Sequence, residues 1–285
     1  MAKFINPFTD VGFKRIFGQE VSKPLLIDFL NNLLEREHKI VDLHFLDKEQ
    51  VAEVEEDRSL IYDVYCVAEN GEKFIVEMQN KRQDYFIDRS VYYLSQAISR
   101  QGRRGAQWQY DLTPVYFIAL LNFKMQELRP SLKVVSHFTD GFGNQVSDKA
   151  TMIFLQLPYF QKSADECEND FERWIFLLKN MDMLQRLPAA FQSGVFTRLA
   201  EIADLSSMNR EERAQYDRAL KRYRDTLSVY ESTFQDGCKA GWDEGREKGL
   251  LEGREASARK MKELGLPTET IVEVTGFTAE QISEL

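Results

Sequence analysis

Cysteine and histidine are scarce in this chain. Cys66, Cys167 and Cys238 are the only cysteines, odd in number and far apart, so they form neither a disulfide framework nor a CxxC metal knuckle. That usage fits a reducing cytoplasm. His38, His44 and His137 show no HxxxH or related ligand spacing, which argues against a zinc centre. No GxxxxGK[ST] phosphate loop and no GxSxG elbow occur, and GFGN at 141–144 lacks the third glycine of a dinucleotide-binding turn. The first residues, MAKFINPFTD, lack the basic-then-apolar layout of a secretory signal. The longest apolar run, 115–121, falls far short of the roughly 20 residues that cross a bilayer. The expectation is a cytoplasmic protein without a membrane partner.

Positive charge is also in deficit. The net charge is −9, which speaks against a protein that simply coats nucleic acid. Its distribution is uneven. Lys81, Arg82, Arg89, Arg100, Arg103 and Arg104 stand against Asp84 and Asp88, so the window 81–104 carries +4 and the other 261 residues carry −13.

What is present is enough apolar residue, 43%, to build a substantial core. Residues 8–18 read as a short helix opened by Thr9 or Asp10 and closed at Gly18. Ser22 is placed to cap a second helix with a Leu25, Leu26, Phe29, Leu30, Leu33, Leu34 stripe. Residues 40–46, 59–68 and 73–79 alternate as strands, the last two joined across Asn70-Gly71 as a hairpin. A helix over 84–100 would bury Ile87, Val91, Leu94 and Ile98, and 115–121 reads as a fully buried strand. The order helix, three strands, helix, strand predicts an α/β fold with a mixed sheet. Strand-like pieces follow to about 160. Beyond them lie helical segments over 161–235, then a last section, 236–285.

The hairpin holds the unusual chemistry. If 68 and 73 flank its turn, Asp63 falls opposite position 78, diagonal to Glu77 and Gln79. Two converging carboxylates make an oxygen site for a hard divalent cation, which keeps waters available for attack on a phosphate. The same residues would equally serve as solvated charges on a half-exposed face.

Asp63, followed after thirteen residues by Glu77-Met78-Gln79, resembles the D…(D/E)xK signature of PD-(D/E)XK nucleases. Six blocks in order are similar to the transposase-associated branch of recombination-promoting nucleases: NPFTDVGFKRIFG at 6–18, FLNNLL at 29–34, YDVYC at 62–66, FIVEMQ at 74–79, RSVYYLS at 89–95 and TPVYFIALLNF at 113–123. The resemblance implies a restriction-endonuclease-like core over 1–160 and Mg²⁺-dependent cleavage of DNA, with Mn²⁺ as a substitute. Asp63 and Glu77 would ligate the metal with the Met78 carbonyl, and Gln79 would take the third catalytic position. Glutamine brings no positive charge to that position, so stabilisation of the phosphate from it should be weaker. By the same resemblance Asp10 is a candidate further ligand, against its plainer reading as a helix cap. Lys14, four residues on, shares its helical face and is a candidate DNA contact.

Arg89, Tyr92 or Tyr93, Gln96, Arg100 and Arg103 recur at helical spacing opposite the expected buried stripe, with Tyr93 taken as the contact. They would hold DNA by phosphate contacts and stacking, or else form an ordinary solvated face. Gly237, Gly241, Gly245, Gly249 and Gly253 repeat every fourth residue and drift only about 40° per step, a groove for a partner helix or a flexible linker. We read 236–285 as an arm that assembles a homo-oligomer. Its last part, 264–285, has four glutamates and no Lys or Arg, a composition unsuited to reading DNA.

Overall fold

The computed structural model describes residues 2–47, 49–50, 60–103, 108–192 and 194–285. Ser59 and Arg104 lie outside them. The chain divides into two compact units, 1–224 and 225–285.

The first unit is built on a six-stranded sheet in the order β1-β4-β5-β6-β8-β7, with β1 Leu43–Phe45, β4 Val64–Ala68, β5 Lys73–Gln79, β6 Val115–Leu121, β7 Lys133–Thr139 and β8 Gln145–Gln156. Strands β5, β6 and β8 run parallel; β1, β4 and β7 are antiparallel to their neighbours. A separate two-residue ribbon pairs β2, Glu49–Gln50, with β3, Leu60–Ile61. Period-2 alternation gives β5 two buried faces. Phe74 and Val76 join Ile118, Leu120, Ile153 and Leu155 beneath the helices α1 Asp10–Phe17, α2 Lys23–Leu34, α4 Asp170–Asn180 and α5 Gly194–Ala203. Ile75 joins Phe117, Ala119 and Phe154 beneath α3, Phe86–Ser99.

Three local expectations need correction. The strand expected over 59–68 is broken: Tyr62 and Asp63 lie in a bend between β3 and β4. The hairpin turn holds three residues, not four, because Ala68 N donates to Glu72 O at 2.8 Å and Gly71 takes φ 86°. Val67 therefore pairs with Lys73, and the register shifts by one. In α3 the buried residues are Phe86, Ser90, Leu94 and Ala97, while Val91 is exposed.

The expected boundary at 160 does not divide the packing. Trp174 of α4 sits between Phe17, Phe29 and Phe196, with ring centroids 5.8, 5.8 and 5.4 Å away, so the helices after 160 complete the same core. Tyr216, near the start of the long helix α6, Arg210–Glu263, accepts a hydrogen bond from Asn6 N at 2.8 Å.

The second unit contains the rest of α6 with α7, Thr268–Thr275, and α8, Ala279–Glu284. Ala258, Ile271, Phe277 and Ile282 form its small core. Gly276, at φ 72°, ends α7, and Thr278 with Gln281 forms the capping box of α8. Among the described residues no helix is long and apolar enough to cross a membrane.

Candidate active site

The corrected register places Asp63 across from Glu77, one step beyond the last ladder pair, Val64 with Val76. The two acids are interlocked through the main chain. Asp63 N donates to Glu77 Oε1 at 3.2 Å, and Met78 N donates to Asp63 Oδ2 at 3.0 Å. Alternation turns Glu77 toward the α3 side of the sheet, where it is only 5% exposed. Burial, then the Asp63 charge, push its carboxyl up to about 8, against the opposing pull of the Asp63 N–H, Arg89 and Lys14. Among the described residues no Lys or Arg forms an ion pair with it.

Helices on both sides bring cations to this pair. On α3, Arg89 donates to Gln83 Oε1 at 2.6 Å and stacks over Phe86 and Tyr93, 5.1 and 5.8 Å from the ring centroids. The phenol of Tyr93 is pushed up by burial and then by Glu77, so α3 presents this ring to the acids. Because the helix is turned from its expected orientation, Arg89, Tyr93, Gln96 and Arg100 are half-buried beside the core stripe rather than opposite it, and only Arg103 is fully outside. The helix α1 approaches from the other side. Thr9 Oγ1 caps it by accepting from Gly12 N at 2.9 Å, and Asn80 Nδ2, at the end of β5, donates to Phe8 O at 2.6 Å.

Asp10 does not join the pair. It holds Lys14 at 2.7 Å, and among the described residues no three His, Cys, Asp or Glu side chains converge on one point. The cap of α1 is Thr9, so Asp10 acts there as a first-turn acid and a partner for Lys14. Gln79 is half-buried on the Glu77 face. Two residues escaped the sequence reading. Asn80 directly follows the motif and ties it to α1, and Tyr62, edge-on to Tyr93 at 5.3 Å, walls the site. The asparagine was legible as the next polar position after Gln79; the tyrosine depended on the bend at 62–63.

The profile of the PD-(D/E)XK nuclease family transposases matches residues 7–233. The chain belongs to this family. The matched span contains α1, the carboxylate pair and α3, and the mixed sheet with flanking helices is a restriction-endonuclease-like fold. Neither the curated proteins nor the solved structures provide a match. Membership supports a nuclease-type enzyme, and such nucleases generally use divalent metal ions. The residues fit that use. Asp63 and Glu77 are hard oxygen donors, one of them buried beside a like charge that a cation would neutralise, and water would have to complete an octahedral shell.

Proposed function

We propose that this chain is a metal-dependent DNA endonuclease that hydrolyses phosphodiester bonds during transposition or recombination, acting in the cytoplasm. The interlocked Asp63–Glu77 pair, with its buried and strained charge, carries the reading. Asp63, Glu77 and the Met78 carbonyl would hold Mg²⁺, with Mn²⁺ substituting. When bound, the cation would supply charge to the phosphate and make a nearby water more acidic. Gln79, on the same strand face, orients that water by hydrogen bonding and adds no charge of its own. Arg89 is fixed by Gln83 and two rings, which pre-arranges its guanidinium for a phosphate oxygen. Tyr93, Gln96, Arg100 and Arg103 continue the strip along α3 on which a DNA backbone lies.

The neutral Gln79 favours a second reading, a nuclease-fold protein that binds DNA or assembles on it but cleaves slowly or not at all. Supercoiled plasmid incubated with Mg²⁺ or Mn²⁺, beside a chelator control, separates the two. We expect metal-dependent nicked and linear products, and none from Asp63→Ala or Glu77→Ala variants of unchanged circular dichroism. Cutting by either variant at the parent rate would move the site elsewhere. We further propose that residues 236–285 hold two copies of the chain together.

A further inference from the structure

We infer that Tyr223 of α6 and Asn122, just past the end of β6, are positioning residues that hold the main chain of the Glu77-Met78-Gln79 motif; the inference rests on the endonuclease reading, which gives roles to the Met78 carbonyl and to Gln79. The motif ends its strand. Successive peptide groups of β5 point to opposite neighbours, and the motif is bonded on both sides. Toward β4, Met78 N donates to Asp63 Oδ2 at 3.0 Å. Toward β6, Gln79 O accepts from Asn122 N at 2.9 Å, one residue past the last pair of the ladder, Gln79 with Leu121. A terminal rung opens more readily than an interior one, and opening this one would let the Met78 and Gln79 peptides rotate. A brace outside the sheet keeps it closed.

Two hydrogen-bond chains run to this strand end from one face of α6. Tyr216 and Tyr223 lie seven residues apart, so they share that face. Asn122 Nδ2 donates to the Tyr223 hydroxyl in a long bond of 3.4 Å, which ties the rung residue itself to the helix. The second chain starts at Tyr216, whose hydroxyl accepts from Asn6 N at 2.8 Å. Asn6 Oδ1 accepts from Phe8 N at 2.8 Å, and Phe8 O accepts from Asn80 Nδ2 at 2.6 Å, directly after the motif. Asn80 Oδ1 is buried with no donor among the described residues, so the bond to Phe8 O sets the turn of that amide. Burial pushes the Tyr223 phenol up, against the hydrogen bonds of the Asn6 and Asn122 side chains that meet on it, so the chains join there. If α6 had only to cover the sheet, phenylalanines would do so without buried hydroxyls that must each find a partner. Asn6 is 5% exposed with every polar group engaged, Nδ2 by Asp182 Oδ2 at 2.8 Å and the carbonyl by Thr9 Oγ1 at 2.9 Å. Satisfied buried networks rigidify what they touch, and here that is the chain at 78–80.

The test uses Tyr223→Phe in the full chain, which removes one hydroxyl and keeps the ring. Ile175→Val, a truncation of a fully buried side chain in α4 outside both chains, is the control for lost stability. We expect Tyr223→Phe to lower kcat on plasmid roughly tenfold with KM unchanged, while Ile175→Val lowers the melting temperature and leaves kcat alone. Hydrogen exchange of the Asn122 N–H, followed in chelator without DNA, gives a readout that needs no cleavage. It should quicken about fivefold or more in Tyr223→Phe. The Lys73 N–H, bonded to Pro114 O at the other end of the same strand pair, should not change. Faster exchange together with lower kcat supports the inference, and either one without the other overturns it. A kcat loss that Ile175→Val shares overturns it too. If the parent cleaves under no metal, the endonuclease reading fails by itself. Faster exchange would then retain Tyr223 as the brace of this strand end, and unchanged exchange would remove it altogether.

Discussion

At the scale of single residues, Glu77 is an acid placed where its anion is disfavoured. Burial and the neighbouring Asp63 raise its carboxyl from the ordinary 4.5 to about 8. Between those values the folded chain keeps a proton that the unfolded chain has lost, so stability falls as pH rises through that window. The favourable contribution is complete below the ordinary value and gone above the raised one. Glu77→Gln removes this dependence and still accepts the Asp63 N–H. We expect the variant, in chelator, to match the parent near pH 4 and to exceed it by several kcal/mol near pH 8, measured by urea unfolding. A divalent cation takes the proton's place. Binding of Mg²⁺ or Mn²⁺ near pH 6.5 should release close to one proton, visible as a dependence of calorimetric heat on the buffer's ionisation enthalpy. It should tighten as pH approaches 8. A pH-independent affinity over 5.5–8 would mean that Glu77 is not a ligand.

At the scale of elements, the same substitution has opposite outcomes in two helices. Alanine is favoured over glycine by about 1 kcal/mol inside an unhindered helix. Gly237 in α6 has nothing within 4 Å of an added Cβ, so Gly237→Ala should raise helicity. In α1 a Cβ at Gly12 would lie 2.2 Å from Asn6 O and 2.7 Å from Thr9 Oγ1. That is main chain and the capping hydroxyl itself, neither able to yield. We expect Gly12→Ala to cost more than about 2 kcal/mol and to displace α1 from Asn80, with cleavage falling faster than melting temperature. Equal and mild effects of the two alanines would show that α1 is not held against the strand end.

The same contrast explains what the sequence disclosed. The strand β6 was legible because an unbroken apolar run is required of a strand buried on both faces, and β5 through its alternation. The helix α1 announced its ends through Thr9 and Gly18. Both acids of the pair were identifiable from motif spacing. Their register was not, because Asn70-Gly71 suits turns of several lengths and only the bond from Ala68 N to Glu72 O selects one. The orientation of α3 was misread for a similar reason. Ser90 lies in the core because its hydroxyl is satisfied by Phe86 O at 2.8 Å, while apolar Val91 faces out, and side-chain polarity alone points the other way. Ser22 likewise begins α2 without capping it, since its hydroxyl turns back to Gln19 O.

At the scale of the whole molecule, the unexplained feature is a set of exposed large apolar side chains on the charged helix α6. Phe234, Trp242 and Leu250 are each 59% or more exposed, interspersed with five glycines. Glycines weaken a helix unless something approaches closely, yet within the second unit no described atom outside the adjoining helix backbone lies within 4 Å of a Cβ built at any of the five. The close neighbour we propose is therefore another copy of the chain, most simply paired about a two-fold axis. A Gly245→Leu, Gly249→Leu variant discriminates well, because leucine is a better helix former and a Cβ at either position meets nothing within 4 Å in the second unit. It should fold with equal or greater helicity but sediment as a monomer. Deleting 236–285 should give the same mass class while leaving Asp63, Glu77 and Lys14 in place. Both forms should still nick plasmid, with the ratio of linear to nicked product falling, since a pair of nuclease units can cut both strands before release and one unit cannot. A parent chain that stays monomeric at high concentration, or a leucine variant that remains dimeric, would reduce the glycine repeat to a linker and leave double-strand cutting without its proposed cause.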